Sequence, residues 1–111
     1  MSKLTPEDEK IVVLARSARA RTQADEGAAV RDTDGRSYAA TTVKLPSFQL
    51  SALQAAIAAA VSSGAEGLEA AAVVTGEPLV SGASVQAVRD LAATAPIFRA
   101  DLKGDVQEVV R

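Results

Sequence analysis

Hydrophobic residues recur at helical spacing in three segments of the chain. The first segment begins at Thr5-Pro6, where a threonine can cap a helix and proline suits its first position. In the second, Leu53 starts a series of apolar residues at i, i+3, i+4, i+7 and i+8, and most of the remaining positions are alanine. Such a helix is usually central, because most of its sides are apolar. We predict helices over residues 6–23, 48–63 and 81–94.

Short apolar or alternating runs lie between and after these segments. The first two runs flank Thr33-Asp34-Gly35-Arg36, a hairpin turn in which glycine supplies a positive φ. Glycine and proline bound most of the other runs, as is typical of strands. We predict strands over residues 27–31, 37–43, 68–75, 97–102 and 106–110, the last of which could instead be a short helix.

The order of these elements is α-β-β-α-β-α-β-β. Strands joined through single helices favour parallel pairing, whereas the first two strands should form an antiparallel hairpin at one edge of the sheet. The pattern therefore predicts an α/β protein, a three-layer α/β/α sandwich on a mixed five-stranded sheet. A chain of 111 residues is typical of one domain, so we expect a single domain over residues 1–111.

Composition restricts the chemistry available to this domain. The chain has no cysteine and no histidine, which excludes disulfides, Cys/His zinc sites, cysteine nucleophiles and histidine bases. Carboxylates, lysine, tyrosine and hydroxyl groups remain as reactive groups, and no pair of nucleophile and base is evident among them. We therefore expect no cofactor.

Charge and hydropathy bear on partners and location. The net charge is -2 with both signs interspersed, which is not typical of a nucleic-acid-binding protein. The polar start of the chain does not resemble a signal peptide, and no apolar stretch is long enough for a membrane span. A cytoplasmic protein is expected, and the abundance of Ala, Val and Arg suggests a bacterial genome of high GC content.

Three stretches resemble the cytidine deaminase family. The sequence GAAVRDTDGRSYAATTV is similar to the family's first hairpin, and LSALQAAIAAAVSSG is similar to the helix that carries its C-A-E motif. The sequence VSGASVQAVRDL is similar to the helix opened by its P-C-x-x-C motif. The resemblance extends over residues 6–109 and implies a cytidine deaminase-like fold.

The residues that carry the family's catalysis are replaced at the matching positions. In the family, three cysteines, or one histidine and two cysteines, hold zinc, and a glutamate transfers the proton. Matched position by position, the ligands fall on Ser51, Ser81 and Ser84, and the glutamate falls on Leu53. A hydroxyl is a poor zinc ligand, and leucine cannot transfer a proton. The resemblance thus implies a degenerate, catalytically inactive member, a pseudoenzyme without metal.

The positions that bind substrate in the family are altered as well. The family's N-x-E motif, whose carboxylate binds the ribose hydroxyls, falls on Thr42 and Lys44. A lysine therefore replaces the carboxylate. Phe48 matches an aromatic residue often found near this loop.

Several interpretations remain open. The three serines could simply fill a former metal site and cap helices, which we favour, or they could line a pocket that still binds a nucleoside or nucleotide. The family resemblance implies a homo-oligomer, dimer or tetramer, with the alanine-rich helix between subunits, although such a helix also packs within a monomer. We expect an oligomeric or protein-interaction module; an active hydrolase of the cytidine deaminase class is the least expected alternative.

Overall fold

A computed structural model describes residues 4–111 of the chain. In chain order, its three helices and seven strands are α1 Pro6–Thr22, β1 Gly27–Asp32, β2 Ser37–Thr41, β3 Val43–Leu45, β4 Phe48–Leu50, α2 Ala52–Ser62, β5 Leu68–Val74, α3 Gly82–Leu91, β6 Ile97–Ala100 and β7 Val106–Val110. Among these helices, none is both long and apolar enough to cross a bilayer.

The first helix has the ends that its sequence predicts. The hydroxyl of Thr5 accepts a hydrogen bond from the backbone N–H of Asp8 at 3.1 Å, and Pro6 follows as the first helical residue. Gln23 adopts the left-handed conformation, with φ of 54°, and its backbone N–H donates to the carbonyl oxygen of Arg19. Both contacts satisfy backbone groups that a helix end leaves free.

The main sheet has five strands in the order β2-β1-β5-β6-β7. Strands β5 and β6, which α3 connects, pair in parallel, and the other neighbouring pairs are antiparallel. The hairpin of β1 and β2 lies at one edge, and β7 forms the other edge as a strand rather than a helix. The predicted mixed five-stranded sheet is confirmed.

Two predicted helices and the predicted fourth strand are too long. Helix α3 ends at Leu91 rather than at residue 94, because Ala92 already has an extended backbone, and β6 ends at Ala100 rather than at residue 102.

The larger difference concerns α2. Residues 48–50 do not begin α2; they form β4, which pairs antiparallel with β3 in a separate two-stranded ribbon. Helix α2 begins after Ser51, whose extended backbone and capping box with Gln54 define the helix start. The second strand is shorter than predicted, because it ends at Thr41 and a separate strand, β3, starts at Val43.

Two apolar layers cover opposite faces of the main sheet. Alternate residues of β1 separate between them, since Ala28 and Val30 pack with α2 and α3, whereas Ala29 packs with α1. Strand β5 divides its residues in the same way, so both of its faces are buried. The arrangement is the three-layer α/β/α sandwich predicted from the sequence, with a largely aliphatic core.

A buried carboxylate organises the turn between β1 and β2. Asp32 is 1% exposed and accepts hydrogen bonds from the backbone N–H groups of Asp34 and Arg36 and from the hydroxyl of Tyr38. Burial alone would raise the pKa of Asp32, but these hydrogen bonds outweigh it, and the pKa lies below its ordinary value. Gly35 has a φ of 84°, as the sequence predicts for this turn.

The start of β1 passes so close to α1 that only glycine fits there. A Cβ atom at Gly27 would collide with the backbone oxygen of Ala15 and would lie 2.9 Å from the backbone nitrogen and the Cβ of Arg19. By contrast, a Cβ atom at Gly82, the first residue of α3, would have no heavy atom within 4 Å.

We predict that Gly27→Ala lowers the free energy of unfolding by about 1–3 kcal/mol, because the added methyl forces α1 away from the sheet. Urea unfolding followed by circular dichroism measures the effect. Gly82→Ala is the matched control and should change the free energy by less than about 0.5 kcal/mol. Equal effects of the two substitutions would contradict the close contact between β1 and α1.

Candidate functional site

A cleft of about 730 Å³ opens where the starts of α2 and α3 meet the end of β5. The loop between α1 and β1 and the ribbon of β3 and β4 form its other walls. Its lining is mostly polar and includes Asp25, Lys44, Ser51, Glu77 and Ser81. A volume of this size is within the range of pockets that hold small ligands.

The three serines that the resemblance places at ligand positions meet at one wall of this cleft. Ser51 is the N-cap of α2 and Ser81 is the N-cap of α3, and each hydroxyl accepts a backbone N–H of its own helix. The Oγ of Ser84 lies 2.7 Å from the Oγ of Ser51 and 2.8 Å from the Oγ of Ser81. The three hydroxyls therefore form one hydrogen-bonded chain that joins the starts of two helices.

Counting protons and lone pairs gives this chain a direction. The hydroxyl of Ser81 donates to Ser84, which is 3% exposed, and with that bond made the acceptor left for the proton of Ser84 among the described residues is Ser51. A buried hydroxyl without an acceptor costs about 1–3 kcal/mol, so Ser84 donates to Ser51. The chain consequently runs from Ser81 through Ser84 to Ser51.

The direction determines what the two outer hydroxyls offer to the cleft. Ser51 accepts from the backbone N–H of Gln54 and from Ser84, so both of its lone pairs are used and only its proton is free. Ser81 accepts from the backbone N–H of Ser84 and donates to its hydroxyl, which leaves one lone pair free. In the cleft, Ser51 is thus a donor and Ser81 an acceptor.

Leu53, the position matched to the family's glutamate, belongs to the hydrophobic core. Its side chain is 0% exposed and packs in the layer between the sheet and helices α2 and α3. It is not among the residues that line the cleft. The position therefore supplies no polar group to the site.

Lys44 lies at the mouth of the cleft and is paired with a carboxylate that the sequence did not reveal as its partner. Its Nζ is 2.7 Å from Oδ2 of Asp25, in the loop before β1, and both side chains are 68% exposed. The hydrogen bond and the opposite charge lower the pKa of Asp25 and raise the pKa of Lys44. The cation at the matched position is therefore neutralised by its neighbour.

The two other positions matched to substrate-binding residues differ in location, since one lines the cleft and the other does not. Thr42 lines the cleft, and its hydroxyl accepts the backbone N–H of Glu26 at 3.0 Å, which joins the residue after β2 to the residue before β1. Phe48 is 54% exposed and pairs across the ribbon with Leu45. It does not line the cleft, so the structure does not bring Phe48 together with Thr42 and Lys44.

The donor groups at the serine chain do not fit the zinc ion that is typical of cytidine deaminases. Zinc sites use thiolate, imidazole or carboxylate ligands, whereas the three groups here are neutral hydroxyls already bonded to one another. Within residues 4–111, no group of three Asp, Glu, His or Cys side chains is close enough to hold a metal.

Comparison with known protein families supports the cytidine deaminase-like fold. The family model described as cytidine deaminase-like matches residues 4–104, and the chain belongs to this family. No curated protein matches the sequence.

Solved structures of cytidine deaminases are similar to the chain in fold. The enzyme from Burkholderia pseudomallei superposes with a TM-score of 0.81 at 23% identity, over 96% of this chain and 92% of that one. The enzyme from Mycobacterium leprae gives 0.72 at 23% identity, with coverages of 94% and 93%. A point mutant of the enzyme from Mycobacterium tuberculosis gives 0.70 at 22% identity, with coverages of 87% and 85%.

We predict that Ser84→Ala lowers the free energy of unfolding by about 1–2 kcal/mol, because it removes the hydroxyl that links α2 to α3. Ser62→Ala is the control, since Ser62 is exposed and bonds only within its own helix. Urea unfolding of both variants measures the difference. If Ser84→Ala were as stable as the control, the hydroxyl chain would contribute nothing to the fold.

Proposed function

We propose that the chain is a cytidine deaminase-like protein without deaminase activity, which acts through association with copies of itself or with another protein. The observation that carries the proposal is the chain of hydroxyls from Ser81 through Ser84 to Ser51, at the positions matched to metal ligands. Metal ligands must be deprotonated, and a serine hydroxyl holds its proton far more tightly than a thiol. Three hydroxyls are therefore expected to bind zinc too weakly for catalysis.

The three serines also have no hydrogen-bonded side chain of the kind that transfers protons in the reaction. Leu53 is apolar and buried, and the polar partners of the three serines are one another, backbone N–H groups of their own helices and the side chain of Gln54. Within residues 4–111, no carboxylate, lysine or tyrosine is hydrogen-bonded to these serines, so none of them is placed to activate a hydroxyl as a nucleophile. The lack of a proton-transfer group bonded to the serines supports inactivity independently of the metal.

The outer face of α2 supports the proposed association. Ala58 and Val61 are exposed on this helix, and the partly exposed Ala55 and Ala59 lie beside them, together with the polar Gln54 and Ser62. On the β3–β4 ribbon, Leu45 and Phe48 form an apolar cross-strand pair with 54% of each residue exposed. Small and apolar outward residues of this kind are typical of surfaces that pack against another protein.

The protein as purified should contain less than stoichiometric zinc, and cytidine should be deaminated no faster than in a protein-free control. Elemental analysis and a spectrophotometric assay measure the two quantities. A tightly bound equivalent of zinc together with turnover of cytidine would overturn the proposal.

A designed variant tests the matched positions directly. The triple variant Ser51→Cys, Ser81→Cys, Ser84→Cys should bind one equivalent of zinc, because it supplies three thiolates where the hydroxyls now meet. It should still not deaminate cytidine, since Leu53 remains. A control with three thiols at the exposed positions 17, 62 and 63 should bind no stoichiometric zinc. Failure of the first triple variant to bind zinc would show that the positions are matched incorrectly.

Self-association should be visible in solution. Light scattering at several concentrations is expected to give the mass of a dimer or tetramer. Ala58→Glu should shift that mass toward the monomer, because it places a charge on the outer face of α2, whereas Ala20→Glu, at an exposed position of α1, should not. A monomer at all concentrations would remove self-association and leave only a different protein as partner.

A second function, the binding of a small ligand such as a nucleoside or nucleotide, is favoured by one observation. The cleft retains about 730 Å³ and presents hydroxyl groups with unused hydrogen-bonding capacity. Stabilisation of the protein against heat by such a ligand would support this function. The absence of stabilisation by any nucleoside or nucleotide would count against it.

A further inference from the structure

We propose that two copies of the chain associate edge to edge through β7, which pairs antiparallel with β7 of the second copy in a register centred on Val109. The pairing joins two five-stranded sheets into one continuous sheet. The inference deepens the proposed self-association, on which it rests, and places it at a surface separate from the outer face of α2.

Strand β7 is an open edge of the main sheet. Within residues 4–111, it pairs with β6 on one side and with no strand on the other. Alternate backbone N–H and C=O groups of such an edge face away from the sheet, and another extended strand can pair with them. Helices α1 and α2 pack on the opposite edge strand, β2, whereas no helix packs as extensively on β7.

An apolar groove runs along this edge on the α1 side of the sheet. Its apolar lining includes Val12 and Val13 of α1 and Val106 and Val109 of β7. Val13 is 57% exposed. A strand added beside β7 would extend the sheet along this groove and reduce the exposure of its valines, which favours association.

A bulge limits the part of β7 that can pair regularly. In the pair of β6 and β7, the register shifts between Val106 and Glu108, so Gln107 is the extra residue. Two hydrogen bonds from its side-chain amide nitrogen turn Gln107 back toward the preceding turn. The regular part of the strand is therefore residues 108–110, and Val109 is its centre.

Two-fold symmetry then restricts the register. In an antiparallel pair of identical strands with the same faces on one side, one residue lies opposite its own copy. Centring on Val109 places Glu108 opposite Val110 of the partner subunit and pairs the whole regular segment. Centring on Glu108 instead places two carboxylates opposite each other and includes the bulged residue. Centring on Val110 leaves Glu108 opposite no residue of the regular segment.

The charges along this edge do not oppose the pairing. Glu108 is the one charged residue of the regular segment, and it is bridged to Arg99 of its own chain at 3.0 Å. The other charged side chains around the groove and the adjoining turn have both signs: Glu9, Asp101, Asp105, Arg16, Lys103 and Arg111. No excess of either sign therefore keeps two copies apart.

Because the chain has no cysteine, single cysteine variants report the register directly. On mild oxidation, Val109→Cys should form a disulfide-linked dimer at least about tenfold faster than Glu108→Cys, because residues directly opposite each other bring their Cβ atoms within disulfide reach. Ala20→Cys, at an exposed position of α1, gives the rate of random collision. Electrophoresis without reductant measures the three rates.

A matched pair of aspartate variants tests the same contact without cross-linking. Val109 and Val106 are both partly buried against the α1 layer, so both substitutions should affect folding alike. Only Val109→Asp places two carboxylates opposite each other, and it should raise the dissociation constant of the β7 dimer at least about tenfold over Val106→Asp. Sedimentation velocity in the Ala58→Glu background isolates this dimer, and thermal unfolding shows that both variants fold.

The outcomes distinguish this inference from the proposed function. Rapid cross-linking through Val109, together with loss of the dimer in Val109→Asp, would support pairing through β7. Cross-linking of Val109→Cys no faster than that of Ala20→Cys, or slower than that of Glu108→Cys, would overturn it, while association that depends on Ala58 would leave the proposed function intact. Stoichiometric zinc and turnover of cytidine would overturn the proposed inactivity, and cross-linking through Val109 would still support the β7 pairing.

Discussion

The candidate site depends on the hydroxyl of Ser84, which hydrogen-bonds the N-cap hydroxyls of two helices. It is buried between the starts of α2 and α3, and it connects the caps of both helices through two short hydrogen bonds. Because each cap also satisfies a backbone N–H of its own helix, displacement of any one hydroxyl would leave polar groups unpaired at both helix ends. The link between the two helix starts and the polarity of the cleft wall thus depend on the same three oxygen atoms, while the buried apolar residues of α2 and α3 hold the helices on the sheet.

The larger elements could be predicted from the sequence because each carries its own local signal. Thr5 and Pro6 mark the start of α1, and the turn around Gly35 marks the edge hairpin. The ribbon of β3 and β4 was missed because its strands are only three residues long, and apolar residues at 50, 53 and 57 continue the helical spacing backwards. The signal that would have placed the helix start is Ser51 followed three residues later by Gln54.

The candidate site was predictable only in part. That the three serines lie together was expected from the family resemblance, and the structure brings them within hydrogen-bonding distance. The ion pair between Lys44 and Asp25 was not expected, because the two residues are on different elements and no periodic pattern relates them. The direction of the hydroxyl chain was also beyond the sequence, since it depends on which oxygen is buried and which lone pairs the backbone occupies.

The burial of Leu53 bears on the history of this chain as well as on its chemistry. A carboxylate at that position would now enter an aliphatic layer, with 0% exposure in place of the polar surroundings that a charge requires. If the proposed inactivity holds, introducing a carboxylate at this position alone would lower stability without a gain in activity, so the aliphatic layer resists the very residue that the family's chemistry uses there.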